Sequence, residues 1–135
     1  MIGLDTNVIV RFVVHDDQAQ AADALAVLRN LTPSEPGYIS HVVLAEVWWV
    51  LGRSYKIDLE RRCLFVADLL DTAELRIEGP DIVRKALARA RDGADLADAL
   101  ISQAATEFGC RTTITFDRGA VDTAGMTSVR AYLGS

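Results

Sequence analysis

The sequence predicts an α/β fold: a three-layer α/β/α sandwich with a central, mainly parallel sheet. Short apolar or β-branched runs recur at Ile2-Gly3-Leu4, Tyr38-Ile39, Glu74–Glu78 and Thr112–Phe116, and helical patterns separate them. Strands that alternate with helices or helix pairs build a parallel sheet covered on both faces. The chain has 135 residues, half of them apolar, so it buries a core as one domain over residues 1–135 without disulfides or a structural zinc. The Pro-rich stretch Thr32–Gly37 is too short to divide it.

The elements follow in order. Ile2-Gly3-Leu4 reads as a buried strand ending at Asp5, and Val8–Val14 as a short helix. Asp17 is placed to cap a helix running to about Leu31, with Ala21, Leu25 and Leu28 on its inner face. After the strand Tyr38-Ile39, Ser40 caps a helix from His41 to about Arg53. Asp58 caps the next, in which Leu59, Cys63, Val66, Leu69 and Leu70 keep helical spacing. Glu74–Glu78 alternates polar and apolar as a strand does. Pro80 opens a helix where its missing N–H costs nothing. Ala94–Phe108 is a helix ended by Gly109, Thr112–Phe116 is a strand followed by Asp117, and Thr127–Leu133 is expected to add an edge strand.

Composition narrows the function. The longest stretch free of Asp, Glu, Lys and Arg, Pro36–Ala45, is too short for a bilayer, which takes about 20 residues. No signal peptide is visible at the N-terminus. Cys63 and Cys110 form no CxxC and read as apolar fillers in a reducing cytosol, so the expected location is cytoplasmic. A net charge of −5 argues against non-specific wrapping of DNA, but not against a nuclease whose metals meet the phosphates. Arg outnumbers Lys heavily, which fits phosphate recognition and GC-rich coding equally.

Several carboxylates are ill suited to a purely structural role. Glu46 is the only ionisable group in Val42–Leu51, a helix apolar nearly all round, so it should be mostly buried. An isolated buried carboxylate is costly unless paired, protonated or metal-bound. The competing account is a narrow solvent stripe or an Arg partner. Asp5 ends the first strand in Asp5-Thr6-Asn7, where helix capping is the plain explanation. In Gly93–Ile101, Asp95, Asp98 and Ser102 share one polar stripe at about 100° per residue, with Leu96, Leu100, Ile101 and Phe108 on the apolar side. Favourable charge in a first helical turn explains Asp95 better than Asp98. Asp117 follows a strand, as many turn residues do. Taken together, acids at two strand ends and on two helices are expected to converge on one crevice. Such a cluster repels itself unless cations neutralise it, and oxygen-only donors suit Mg²⁺ or Mn²⁺.

Asp5-Thr6-Asn7 after the first strand, the lone Glu46, Ala97-Asp98-Ala99-Leu100-Ile101 and Thr115-Phe116-Asp117-Arg118 occur in this order. The ordered set resembles the PIN-domain ribonucleases, specifically the VapC-type toxins of prokaryotic toxin–antitoxin pairs, from Met1 to about Arg118. The resemblance implies that Asp5, Glu46, Asp98 and Asp117 are the catalytic, metal-holding acids. Thr6 and Thr115 would support them, and Asp95 would be a supporting residue rather than a ligand. It also implies Mg²⁺- or Mn²⁺-dependent cutting of single-stranded or looped RNA to a 5′-phosphate and a 3′-hydroxyl, a homodimer, and a small antitoxin that covers the site. No segment of the chain itself is expected to inhibit it.

Other chemistries are poorly supported. There is no GxxxxGK[ST] for a P-loop and no GxSxG for a hydrolase triad. An Asp-nucleophile phosphatase wants a second carboxylate where Asn7 stands. A phosphoacceptor receiver wants a Lys after a late strand, and the only lysines are Lys56 and Lys85. His15 and His41 read as surface or capping residues, Trp48 and Trp49 as core and dimer contacts. Arg11, Arg91 and Arg118 are the candidates for flanking phosphates. The rival to the enzyme is a PIN-like RNA-binding or regulatory module without cleavage.

Overall fold

In the computed structural model, which describes residues 1–134, the chain divides into two units, Met1–Glu78 and Gly79–Ser135. The first holds β1 (Ile2–Gly3), α1 (Thr6–Arg11), α2 (Gln18–Asn30), β2 (Gly37–Ile39), α3 (His41–Arg53), α4 (Leu59–Leu70) and β3 (Leu75–Ile77). Its sheet has the order β1-β2-β3 and both pairings are parallel, with Ile2 opposite Gly37 and Gly37 opposite Leu75. Parallel strands cannot be joined by tight hairpins. Each step across this sheet is instead a helical crossover, α1–α2 and then α3–α4.

The expected boundaries of α2, α3 and α4 hold because their caps form. The Asp17 carboxylate accepts from the Gln20 N–H at 3.0 Å, Ser40 Oγ from Val43 at 3.2 Å and the Asp58 carboxylate from Arg61 at 2.9 Å. Each takes up a donor that the helix cannot satisfy internally. Ile9, Ile39, Leu44, Val47, Leu51 and Val66 are fully buried in this unit. Each contributes about 1.5–3 kcal/mol relative to exposure. On α2 the inner face is thinner than the sequence suggests: Ala21 and Ala24 are buried, while Leu25 and Leu28 are half-buried. Trp48 is buried, with the Arg62 guanidinium over its ring at 4.4 Å. Trp49, expected in the core or in a dimer contact, is 57% exposed and carries the Arg53 guanidinium 5.9 Å from its ring.

The second unit holds α5 (Pro80–Arg91), α6 (Leu96–Phe108), β4 (Ile114–Thr115), α7 (Arg118–Thr123), β5 (Thr127–Ser128) and α8 (Val129–Leu133). Here β4 and β5 pair in parallel, Ile114 opposite Thr127. The tail is therefore only part strand. Ser128 Oγ accepts from the Ala131 N–H at 3.1 Å and starts α8, which ends the strand after two residues. α5 packs on α6, and Val83, Ala86, Leu87, Ala90, Leu96 and Ala99 are buried in this unit. That packing sets the phase of α6 differently from the expected stripe. Ser102 is buried, whereas Ile101 is 56% and Phe108 91% exposed. Cys63 is a buried filler as expected, but Cys110 is exposed.

At Gly37 three leucines close in on the first sheet. A Cβ there would stand 2.7 Å from Leu4 Cδ1, 3.0 Å from Leu31 Cδ1 and 3.1 Å from Leu75 Cδ2. All three leucines are buried. Gly37→Ala is expected to destabilise the protein by about 1–3 kcal/mol through overpacking, measured as a shift of the urea midpoint; an unchanged midpoint would show that the leucines repack freely.

Candidate active site

Three of the predicted acids stand at helix starts, and the geometry of the cap decides how each carboxylate is held. Asp5 follows β1 and accepts the Thr6 N–H on Oδ1 at 2.8 Å. Asp117 follows β4 and accepts from Gly119 at 2.8 Å and Ala120 at 3.4 Å, both on Oδ1. It therefore begins α7 rather than closing a simple turn, a helix the sequence reading missed. The Asp117 N–H in turn donates to Thr115 Oγ1 at 3.0 Å, so Thr115 fixes the backbone that carries the acid. Asp95 caps α6, accepting from the Asp98 N–H on Oδ2 at 3.1 Å. Each cap uses one carboxylate oxygen. The other makes no hydrogen bond or ion pair among the described residues.

Asp98 is held differently. It lies in the first turn of α6, half-buried, and caps nothing. Its carboxyl is pushed above the ordinary aspartate value of 3.8, first by burial away from water, then by the negative charges of Asp95 and Asp117. The second unit thus gathers Asp95, Asp98 and Asp117, and Thr115 steadies one of them. In the first unit, Asp5 and Thr6 open α1, which packs on the Glu46 helix α3. Thr6 Oγ1 is buried with no hydrogen-bond partner among the described residues. Glu46 departs from expectation. It is exposed, because only Leu44, Val47, Trp48 and Leu51 of α3 turn inward while Val42, Glu46 and Trp49 form an outer stripe.

The donor chemistry fits a hard divalent cation. The side chains are carboxylates, Asp98 is raised by burial and then by the charges of Asp95 and Asp117, and Asp117 has an oxygen that its cap does not use. Among the described residues, no three His, Cys, Asp or Glu are grouped closely enough to enclose a metal ion by themselves.

The histidines and arginines sort clearly. The His41 N–H donates to Glu78 Oε1 at 2.8 Å and its ring Nε2 lies 2.7 Å from the Glu78 carbonyl oxygen. It is a structural tie, as expected of a capping histidine. Arg11, a candidate phosphate ligand, is spent on structure: it donates to Asp16 at 2.7 Å, Gln20 at 3.0 Å and the Tyr55 hydroxyl at 3.3 Å. Arg91 and Arg118 are exposed, and Arg118 directly follows Asp117. Reading the sequence missed one feature, the bare ring of Phe116, 91% exposed beside Asp117. Its apolarity pointed inward, and nothing in a five-residue strand pattern marks its last position as outward.

Parallel strands followed by helices, with aspartates at the starts of α1, α6 and α7, define an α/β protein. The PIN domain family model matches residues 2–126, and the chain belongs to that family. PIN domains are typically metal-dependent nucleases that act on nucleic acid, and their fold, helices around a central parallel sheet, is the one the sequence predicts. No curated protein matches the chain. No helix among the described residues is long and apolar enough to cross a membrane.

The raised Asp98 carboxyl makes a signed prediction. The folded state holds that proton more tightly than the unfolded chain does, so stability falls as pH rises from 3.8 through the folded value. At neutral pH the ionised Asp98 is a standing cost. Asp98→Asn is therefore expected to give an equal or higher melting temperature in chelator at pH 7, with the advantage vanishing toward pH 3. A large loss of melting temperature at pH 7 would instead identify Asp98 as a structural hydrogen-bond partner.

Proposed function

We propose that the protein is a divalent-metal-dependent endoribonuclease that cleaves single-stranded or looped RNA, and that it is the VapC-type toxin of a toxin–antitoxin pair. The observation that carries this reading is Asp98, half-buried and within electrostatic reach of Asp95 and Asp117, in a chain of the PIN family. Like charges brought together against their own repulsion are ready to receive a cation. Asp5, Glu46, Asp98 and Asp117 are the acids we assign to the reaction, within one PIN domain spanning residues 1–135. Bound Mg²⁺ or Mn²⁺ supplies two things: a water acidified enough to attack phosphorus, and charge to offset the phosphate.

The chain's own residues do the rest. Asp117 and Asp5 are locked in direction by their caps, so the free oxygen of each points where the backbone puts it. Asp95 holds the start of α6, and with it the place of Asp98, which fits its supporting role. Thr115 does the same for Asp117. Thr6, buried beside Asp5, keeps a hydroxyl in reserve for that carboxylate. Glu46, in contact with solvent, is suited to accept the proton of an attacking water. Arg118 and Arg91 are free to meet flanking phosphates, a role Arg11 cannot fill while clasped by Asp16 and Gln20. In-line attack would leave a 5′-phosphate and a 3′-hydroxyl.

A chain of this activity works in the cytoplasm, as a homodimer, and is restrained by a small antitoxin. A cluster of carboxylates favours Arg, which bridges two of them at once. We assign the antitoxin an Arg inserted among the acids in competition with metal.

Mg²⁺ or Mn²⁺ is expected to restore RNA cleavage to the chelated protein, and Asp98→Asn to reduce it about 100-fold or more, read as 5′ ends on a single-stranded RNA. Full activity without divalent ions would overturn the metal reading. RNA binding with no cleavage at any metal concentration would make the protein a binding module. For the partner, inhibition is expected to weaken as Mg²⁺ rises and to drop when the inserted Arg is replaced. Complete inhibition by every Arg variant at all metal concentrations would mean that the antitoxin works by steric cover alone.

A further inference from the structure

Past β4 the second unit leaves its apolar surface uncovered. Phe116 is 91% exposed and Leu133 of α8 75%. Both border an open hollow of about 540 Å³, whose wall also includes Val129, Arg130 and Gly134. The wall is built firmly. β4 and β5 pair at Ile114–Thr127 and Thr115–Ser128, Thr112 Oγ1 and Thr127 Oγ1 share a hydrogen bond of 2.6 Å, and Ser128 caps α8. Phe116 cannot turn away with its backbone, because the Asp117 N–H on Thr115 Oγ1 fixes the peptide on its C-terminal side. Arg130 is exposed and makes no ion pair among the described residues.

We propose that this hollow is a nucleotide subsite for single-stranded RNA, in which a base stacks on the Phe116 ring against Leu133 and Arg130 takes the adjacent phosphate. The proposal rests on the nuclease reading and deepens it. Aromatic rings bind bases without regard to sequence, and the guanidinium forks onto phosphate. The position supports RNA over protein. Phe116 adjoins Asp117 in the chain, and Arg130, which makes no ion pair among the described residues, brings to the hollow the positive charge that a phosphate takes up. A second copy of this chain fits worse. A two-fold contact through the hollow would bring Arg130 toward its own symmetry mate, and among the described residues the wall has no carboxylate to pair with either.

The test uses the full chain carrying Asp98→Asn, with Mg²⁺, and a labelled twelve-nucleotide single-stranded RNA followed by fluorescence anisotropy. Phe116→Ala on that background is expected to weaken binding about tenfold, and Phe116→Trp to restore it. Because the ring is exposed, melting temperature should not move. Arg130→Gln is expected to lower the slope of log Kd against log salt by about 0.7. Equal Kd for Phe116→Ala, with RNA cleavage by the unmodified chain intact, overturns the subsite and leaves the nuclease reading standing. A change of oligomeric state in Phe116→Ala without a change of Kd likewise overturns it and makes the hollow a contact between copies. No cleavage and no RNA binding by the unmodified chain overturns the nuclease reading, and the subsite with it.

Discussion

A helix begins with backbone N–H groups that have no partner inside it, and in this protein three of the side chains that answer them are aspartates to which we assign a part in the proposed reaction. Asp5 and Asp117 close a strand and open a helix with the same carboxylate, while Asp95 does so at the head of α6. One oxygen is committed to the backbone at 2.8 to 3.1 Å and the other is left over. The positive end of each helix offsets part of the charge being held there. At the β1–α1 and β4–α7 junctions, capping and the chemistry we propose therefore share one side chain. It follows that Ala at Asp5 or Asp117 removes a cap worth about 1 kcal/mol along with the acid, whereas Asn keeps the cap.

Asp98 shows what happens without that relief. It has no backbone donor of its own to accept, it is partly withdrawn from water, and Asp95 and Asp117 face it with like charge. The two caps in effect load the third acid. A chain optimised for stability alone would place a neutral residue there. The cost is local, and a cation bound there, as we propose, would offset it.

Much of this was legible in the residues. Ser40, Asp58, Asp17 and Pro80 announced helix starts because capping is a matter of one side chain and three following amides, all local in sequence. The parallel pairings followed from the alternation of strands and helices. What was not legible depends on which neighbour a face meets. α3 is apolar on nearly every side, and nothing in its own sequence says that Val42, Glu46 and Trp49 turn outward. α6 buries Ser102 and exposes Phe108 because α5 sets its rotation. The short α7 and α8 were hidden because Asp117 and Ser128 serve turns and helices equally well. Arg11 read as a phosphate ligand until Asp16, Gln20 and Tyr55 were seen around it. The four acids we assign to the reaction stand out in the residues only by type and order, and the caps that hold Asp5, Asp95 and Asp117 were legible as one explanation among others.

The thin inner face of α2 has a consequence of its own. Two alanines bury little surface, and the firmest side-chain attachments near its start run through Arg11 to Gln20 and Asp16. Local opening follows the weakest cooperative segment rather than the average of the molecule. The amides of α2 should thus trade their hydrogens with deuterated solvent well before those of α3, whose Leu44, Val47 and Leu51 are sealed. Breathing of the first unit is then expected to start in the crossover between its first two strands.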